Sequence, residues 1–170
     1  MQGAIQDRFN EVGHLRSAIR SGAFQGQTAG HAPGKLQANL AILPNAYATD
    51  FEAYVRANPR ACPLVGMGTP GDPTLSALGD IDIRSDVPGY NIYRHGALAE
   101  TVADISDQWR EDFVTFALGC SFTFERALIN AGIPLAHVEA NTTVPMYRTN
   151  IETPRVGPFG GGMVVSLRYI

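Results

Sequence analysis

Apolar residues spaced three and four positions apart predict an amphipathic helix over about residues 4–20. Its apolar stripe consists of Ile5, Phe9, Val12, Leu15 and Ile19. Gly22 follows the stripe and is a typical helix stop. The same spacing predicts a shorter helix over residues 46–57, which ends before Pro59 because the residue preceding a proline disfavours the helical region.

Helical spacing recurs on both sides of a Gly-Cys-Ser turn. Before the turn, Trp109, Phe113 and Phe116 fall on one helical face, and Gly119 would break that helix. After the turn, Ser121 is suited to cap a second helix. The pattern therefore predicts two helices joined by a short connection.

Strands are predicted where short apolar or alternating runs are bounded by glycine or proline. These runs cover residues 36–43, 62–67, 80–86, 136–139 and 163–167. Residues 90–94 and 97–102 flank His95-Gly96, a connection that fits a tight hairpin. Together the elements predict an α/β fold of the mixed α+β kind.

Two segments are predicted to be irregular. Residues 24–35 form a loop rich in glycine that lacks the Gly-Lys-Ser/Thr ending of a phosphate-binding loop and precedes a strand, so nucleotide binding is not supported. His31 in this loop is either a turn residue or a functional one. Residues 141–152 show no clear periodicity.

Composition narrows the class of protein. The 170 residues are 45% hydrophobic and 17% charged, which is typical of one globular domain. No apolar run approaches the roughly 18 residues of a membrane-spanning helix. The formal charge is −3, and the basic residues are dispersed, so neither a nucleic acid nor a membrane is an expected partner. The expected partner is a small molecule, and a homo-oligomer stays open.

The cysteines and histidines indicate neither a disulfide framework nor a metal site. Cys62 and Cys120 lie far apart, and the four histidines share no metal-type spacing, so no metal is expected. The N-terminal residues carry charges through their apolar positions and lack the apolar core of a secretory signal. A cytoplasmic location is therefore expected.

Candidate chemistry concentrates around Ser121. A serine nucleophile elbow would need glycine where Thr123 stands. The alternatives are an anion site at the N–H groups of Cys120 and Ser121, or a plain helix cap. Cys120 is either a catalytic thiolate or an inert buried cysteine. Glu125 lies one helical turn along, where it would act as general acid or base if desolvated, or would pair with an arginine.

A second cluster of polar residues lies at positions 80–86. Asp80, Asp82 and Asp86 resemble the start of a calcium loop, but the glycine and the bidentate acid that such a loop needs are absent. Arg84 stands between these acids. Spacing alone fits a solvated polar strand and a substrate site equally well.

Six segments, in order, resemble the motifs of the D-glutamate cyclase family, whose bacterial members are usually labelled hydro-lyases. They are residues 32–40, 58–63, 80–88, 119–125, 145–150 and 163–168. The resemblance covers nearly the whole chain and implies a two-lobed, mixed-sheet architecture. It also implies a C-terminal third that this sequence lacks, so residues 1–170 would be the N-terminal two-thirds of a hydro-lyase domain.

The resemblance implies cyclisation of D-glutamate to 5-oxo-D-proline with loss of water, or dehydration of a related small acid, without a cofactor. Glu125, Ser121 and Cys120 are the catalytic candidates. The substrate-binding candidates within the motifs are Asp82, Arg84, Arg148, Asn150 and Arg168. Arginine suits a carboxylate clamp because its guanidinium donates two parallel hydrogen bonds. The alternative is a non-catalytic carboxylate-binding or regulatory protein.

Overall fold

The computed structural model describes residues 9–140 and 142–170, in which seven strands and four α-helices form. The helices are α1 Val12–Arg20, α2 Ala48–Ala57, α3 Phe122–Asn130 and α4 Ala136–Glu139. The strands are β1 Ala38–Pro44, β2 Leu64–Met67, β3 Tyr90–Arg94, β4 Ala97–Val102, β5 Phe113–Gly119, β6 Met146–Glu152 and β7 Gly162–Ser166. The mixed α and β class is confirmed.

The strands form three antiparallel sheets. The largest has the order β1-β5-β2, with Ala38 opposite Gly119 and Pro44 opposite Phe113. The other two are the hairpins β3-β4 and β6-β7. In the first hairpin, His95 and Gly96 both have positive φ angles, 52° and 80°, as a two-residue turn of the predicted kind requires.

The core lies on both faces of the β1-β5-β2 sheet. On one face, Phe116 and Val114 pack with Ala48 of α2. On the other face, Ala117 packs with Ile83 and with neighbours from the segment before β3. Strand β5 is therefore buried from both sides, and it ends where α3 begins.

Three predicted elements are wrong. Residues 113–119 form the central strand rather than a helix, because β5 is buried on both faces and its apolar residues do not alternate. Residues 80–86 form a turn rather than an edge strand, because the Asp82 and Asp86 carboxylates accept backbone N–H groups within it. Residues 136–139 close a helical turn, with the N–H of Ala140 donating to Ala136.

Other boundaries shift. Helix α1 begins at Val12, Phe9 precedes it, and the rest of the predicted helix from residue 4 to residue 8 lies outside the described residues. The segment predicted to be irregular contains β6, which pairs with β7. Within the described residues, no helix is long and apolar enough to cross a membrane.

Candidate active site

The junction between β5 and α3 carries the residues that the sequence singled out. The N–H of Cys120 donates to the carbonyl of Gln37 at 3.2 Å, which extends the pairing of β5 toward the start of β1. This N–H is therefore not available as an oxyanion donor. The Cys120 thiol is free and half-buried.

Ser121 does not cap α3 with its side chain. It adopts helical angles, φ −71° and ψ −9°, and its hydroxyl makes no capping hydrogen bond. The hydroxyl lies 3.1 Å from Oγ of Ser166 and accepts from Nη2 of Arg168 at 3.0 Å. Ser121 thus connects the start of α3 to the end of the β6-β7 hairpin.

Glu125 is the centre of a buried polar cluster. Its Oε1 accepts from Nη2 of Arg168 at 2.6 Å and lies 3.1 Å from Nε2 of His137. The side chains of Glu125, His137 and Arg168 are 12%, 6% and 9% exposed. The guanidinium of Arg168 also lies over the ring of Phe124, 4.5 Å from its centroid. The expected ion pair with an arginine is present, and a histidine joins it.

The hydrogen bonds of the cluster leave one carboxylate oxygen open. Arg168 donates Nη1 to Ser166 at 2.9 Å and Nη2 to Ser121 and Glu125. Oε1 of Glu125 accepts from one partner and contacts another, whereas Oε2 receives no hydrogen bond from the described part of the chain. Oε2 therefore has acceptor capacity left for a ligand.

Glu125 and His137 both line a cavity of about 430 Å³. The glycine-rich loop also lines this cavity and contributes His31 and Lys35 among others. A volume of this size suits a small molecule rather than a polymer. Cys120 and Ser121 are not among the residues that line the cavity, so Ser121 reaches it only through Arg168 and Glu125.

The glycine-rich loop is hydrogen-bonded to the side chain of Gln37. Its Nε2 donates to the carbonyl of Thr28 at 3.2 Å, and its Oε1 accepts from the Thr28 hydroxyl at 3.3 Å. His31 packs against the rings of Phe9 and Phe24, with centroid distances of 5.8 and 4.9 Å. The loop is thus held by the Gln37 side chain and by the packing of His31.

The remaining binding candidates lie outside this cavity. Arg84 donates Nε and Nη2 to the carboxylate of Asp82 at 2.9 and 2.7 Å, and neither residue lines the cavity. Arg148 and Asn150 are exposed on β6. Of the predicted binding residues, Arg168 alone joins Glu125 in the described structure, and the role of the others stays a prediction.

Sequence reasoning missed His137, Ser166 and Lys35. His137 contacts Glu125, and Ser166 contacts Ser121. Both contacts join positions that are distant in sequence, so no local pattern predicts them. Lys35 had one signal in the sequence, because it is the only lysine in the chain. Across residues 9–140 and 142–170, no group of three or more His, Cys, Asp or Glu side chains is arranged to hold a metal ion.

Comparison with known proteins relates this chain to one family. A family model described as D-glutamate cyclase matches residues 114–170, which contain β5, α3 and Arg168. A protein of Ruegeria pomeroyi named "Putative hydro-lyase" is 57% identical over 162 residues, which cover 95% of this chain and 59% of that protein. Relatives with the same name from Jannaschia sp. and Azorhizobium caulinodans are 58% and 57% identical over 92% and 91% of this chain.

The aligned residues cover 59% and 57% of those two relatives, so this chain spans less than two thirds of the length of the curated relatives it matches. The matches with the first two relatives take in more than nine tenths of this chain. The chain is thus similar to the D-glutamate cyclase family over residues 114–170, and to proteins named as hydro-lyases over more than nine tenths of its length.

Proposed function

We propose that this chain carries a hydro-lyase site for a small amino acid, and that its reaction is the cyclisation of D-glutamate to 5-oxo-D-proline. The supporting observation is Glu125, a carboxylate on a cavity wall with one oxygen bound by Arg168 and the other open. The family description and the names of the relatives point to the same class of reaction.

The reaction forms one bond and breaks another. The amine nitrogen attacks the γ-carboxyl carbon, a C–O bond breaks, and the departing oxygen leaves as water. Two protons leave the ammonium nitrogen, and two arrive on that oxygen, so neither oxidation nor reduction occurs. The protein has to move protons and to stabilise the charge on the attacked carboxyl group.

Glu125 is suited to move the protons. Its open oxygen, Oε2, accepts a proton from the ammonium group and returns it to the leaving oxygen. Arg168 and His137 contact Oε1 and fix the orientation of the carboxylate. Ser121 and Ser166 in turn position Arg168, so they act on the reaction through that residue. A general acid or base held in this way contributes roughly 10² to 10⁴ in rate.

The test is product formation by the purified chain. D-glutamate and L-glutamate are incubated separately, and 5-oxoproline is separated by chiral chromatography. We expect 5-oxo-D-proline from D-glutamate, and its formation about 10² or more times slower in a Glu125→Gln variant. Binding of D-glutamate without product, in this chain and in a full-length relative alike, would instead support the non-catalytic carboxylate-binding alternative.

A further inference from the structure

Lys35 is the only lysine of the 170 residues, and it lies on the wall of the cavity that contains Glu125. Its side chain brings a positive charge to the lining of a space of about 430 Å³ that the Glu125 carboxylate also lines. The cavity lining therefore carries charges of both signs.

The backbone of the loop fixes the position of Lys35. Its N–H donates to the carbonyl of Ala32 at 3.1 Å, and the N–H of Ala32 donates to Phe9 at 2.8 Å. Ala32 is 6% exposed and has a φ of 45°, a conformation that residues other than glycine rarely adopt. Gly34 has a φ of 77°, which glycine adopts at no cost. Such strain persists only where the surroundings hold it, and it is concentrated at functional sites.

Of the other cations considered for carboxylate binding, Arg84 and Arg168 already have partners, and Arg148 is exposed on β6 and does not line the cavity. Arg168 donates to Glu125, Ser121 and Ser166. Arg84 donates to Asp82, away from the cavity. Arg126 lines the cavity but has an interaction of its own. No acceptor for the Lys35 ammonium group occurs among the residues that the structure describes.

We infer that Lys35 binds the carboxylate adjacent to the amine of an amino acid ligand, while the amine faces Glu125. This inference rests on the proposed function for the chemical class of the ligand. A zwitterion places its two charges a few ångströms apart, so one end meets a cation and the other an anion across a small cavity. Lys35 then selects ligands that carry this carboxylate and has no part in proton transfer.

The first test separates the two carboxylates of the ligand. D-glutamate carries both, whereas 4-aminobutyrate retains the amine and the distal carboxylate but lacks the one assigned to Lys35. We expect Lys35→Met to weaken D-glutamate binding about tenfold or more in calorimetry, the scale of a hydrogen bond to a charged group. Binding of 4-aminobutyrate should be unchanged, and Lys35→Arg should retain more affinity than Lys35→Met.

The matched control is Arg126→Met, which removes another positive charge from the lining of the same cavity. We expect a smaller loss of D-glutamate affinity in this variant. Lys35 is exposed, so its replacement should leave the thermal unfolding temperature unchanged, which shows that the variant folds. Equal loss of both ligands in Lys35→Met, a larger loss in Arg126→Met, or no binding of D-glutamate to the wild-type chain would each overturn the inference.

The second test uses the fact that the chain has a single ε-amino group. An acetylating reagent should modify Lys35 and the terminal α-amine, and mass spectrometry distinguishes the two sites. The ligand is 5-oxo-D-proline, which has the carboxylate but no reactive amine. We expect it to slow acetylation of Lys35 at least threefold without protecting the α-amine.

Equal modification rates with and without 5-oxo-D-proline would contradict the assignment. Neither test measures turnover. A chain that binds D-glutamate through Lys35 without forming 5-oxoproline would therefore sustain the inference and refute the proposed reaction.

Discussion

Nη2 of Arg168 donates to Oε1 of Glu125 at 2.6 Å, across 43 positions of sequence, and both side chains are about nine-tenths buried. A buried carboxylate that loses its cation is left with an uncompensated charge, which costs more than the pair itself contributes. The two residues are therefore expected to be coupled in stability as well as in function.

The coupling predicts a specific pattern in a double-mutant cycle. Arg168→Met should lower the free energy of unfolding by about 3 kcal/mol, since among residues 9–140 and 142–170 it leaves His137 as the polar side chain in contact with Glu125. In a chain that already contains Glu125→Gln, the same replacement should cost at least about 1 kcal/mol less. Urea denaturation followed by circular dichroism measures both values.

Arg56→Met is the control for this cycle. Arg56 pairs with Glu52 on α2, and its side chain is 67% exposed, so its removal should cost less than about 1 kcal/mol. Strictly additive effects of the Arg168 and Glu125 replacements would show that the two side chains do not interact in solution.

A second prediction concerns catalysis by Glu125. Glu125→Gln should lower kcat for 5-oxoproline formation by about 10² or more, with a smaller effect on KM, because an amide cannot accept the proton. Glu139→Gln is the matched control, since Glu139 is an exposed residue of α4. Steady-state kinetics on this chain, and on a full-length relative with the same motif, provide the comparison. More than about a third of wild-type kcat in the Glu125 variant would remove this residue from the mechanism.

A third prediction concerns acid stability. Burial would raise the pKa of Asp86, but hydrogen bonds from Arg20 and from the N–H of Asp82 outweigh this effect and hold the pKa below its ordinary value. Hydrogen bonds from the Arg84 side chain lower the pKa of Asp82. A carboxylate with a lowered pKa stabilises the fold above its unfolded pKa of about 3.9, and this stability is lost as the pH falls through the folded value.

The free energy of unfolding should therefore decrease as the pH is lowered below about 4. Asp86→Asn should cost about 2 kcal/mol at pH 7, because the side chain is fully buried against Arg20. The variant should also show a shallower loss of stability between about pH 4 and pH 2. Urea titrations at a series of pH values test this, with Asp107→Asn as a surface control. Parallel pH curves for Asp86→Asn and wild type would contradict the prediction.

A fourth prediction concerns the core of the central sheet. Phe116 is fully buried, and its ring lies 4.9 Å from that of Phe51 in an edge-to-face arrangement. Phe116→Ala should cost about 4 kcal/mol, the scale of a truncated buried aromatic residue. Tyr93→Ala, at a residue that is 64% exposed, should cost less than about 1 kcal/mol. Comparable losses for the two variants in urea denaturation would place Phe116 outside the core.

Turns and helix ends were predictable from the sequence, because the residue types that they require stand at those positions. The β3-β4 hairpin follows from His95-Gly96, and the end of α1 follows from Gly22. Strand β5 was not predictable by the same reasoning. Its aromatic residues recur at helical spacing, and a strand buried on both faces shows no alternation that would distinguish it from a helix.

Some residues of the candidate site were also predictable from the sequence, and others were not. Ser121 and Glu125 were found because they lie on one short segment with an evident role, and Arg168 because it lies in a family motif. His137 approaches Glu125 only after α4 folds as a helical turn, and that segment was predicted to be a strand. The cavity itself depends on contacts between the glycine-rich loop and α3, which local periodicity does not encode.

The antiparallel pairing of β5 between β1 and β2 affects how the chain folds during its synthesis. Each residue of β1 pairs with a partner far along the sequence, from Pro44 with Phe113 to Ala38 with Gly119. During translation, β1 and β2 leave the ribosome well before the strand that joins them. Non-local pairing of this kind slows folding and leaves apolar strands exposed in the interim. Until Gly119 has been synthesised, β1 and β2 therefore lack the complete strand that pairs with both of them.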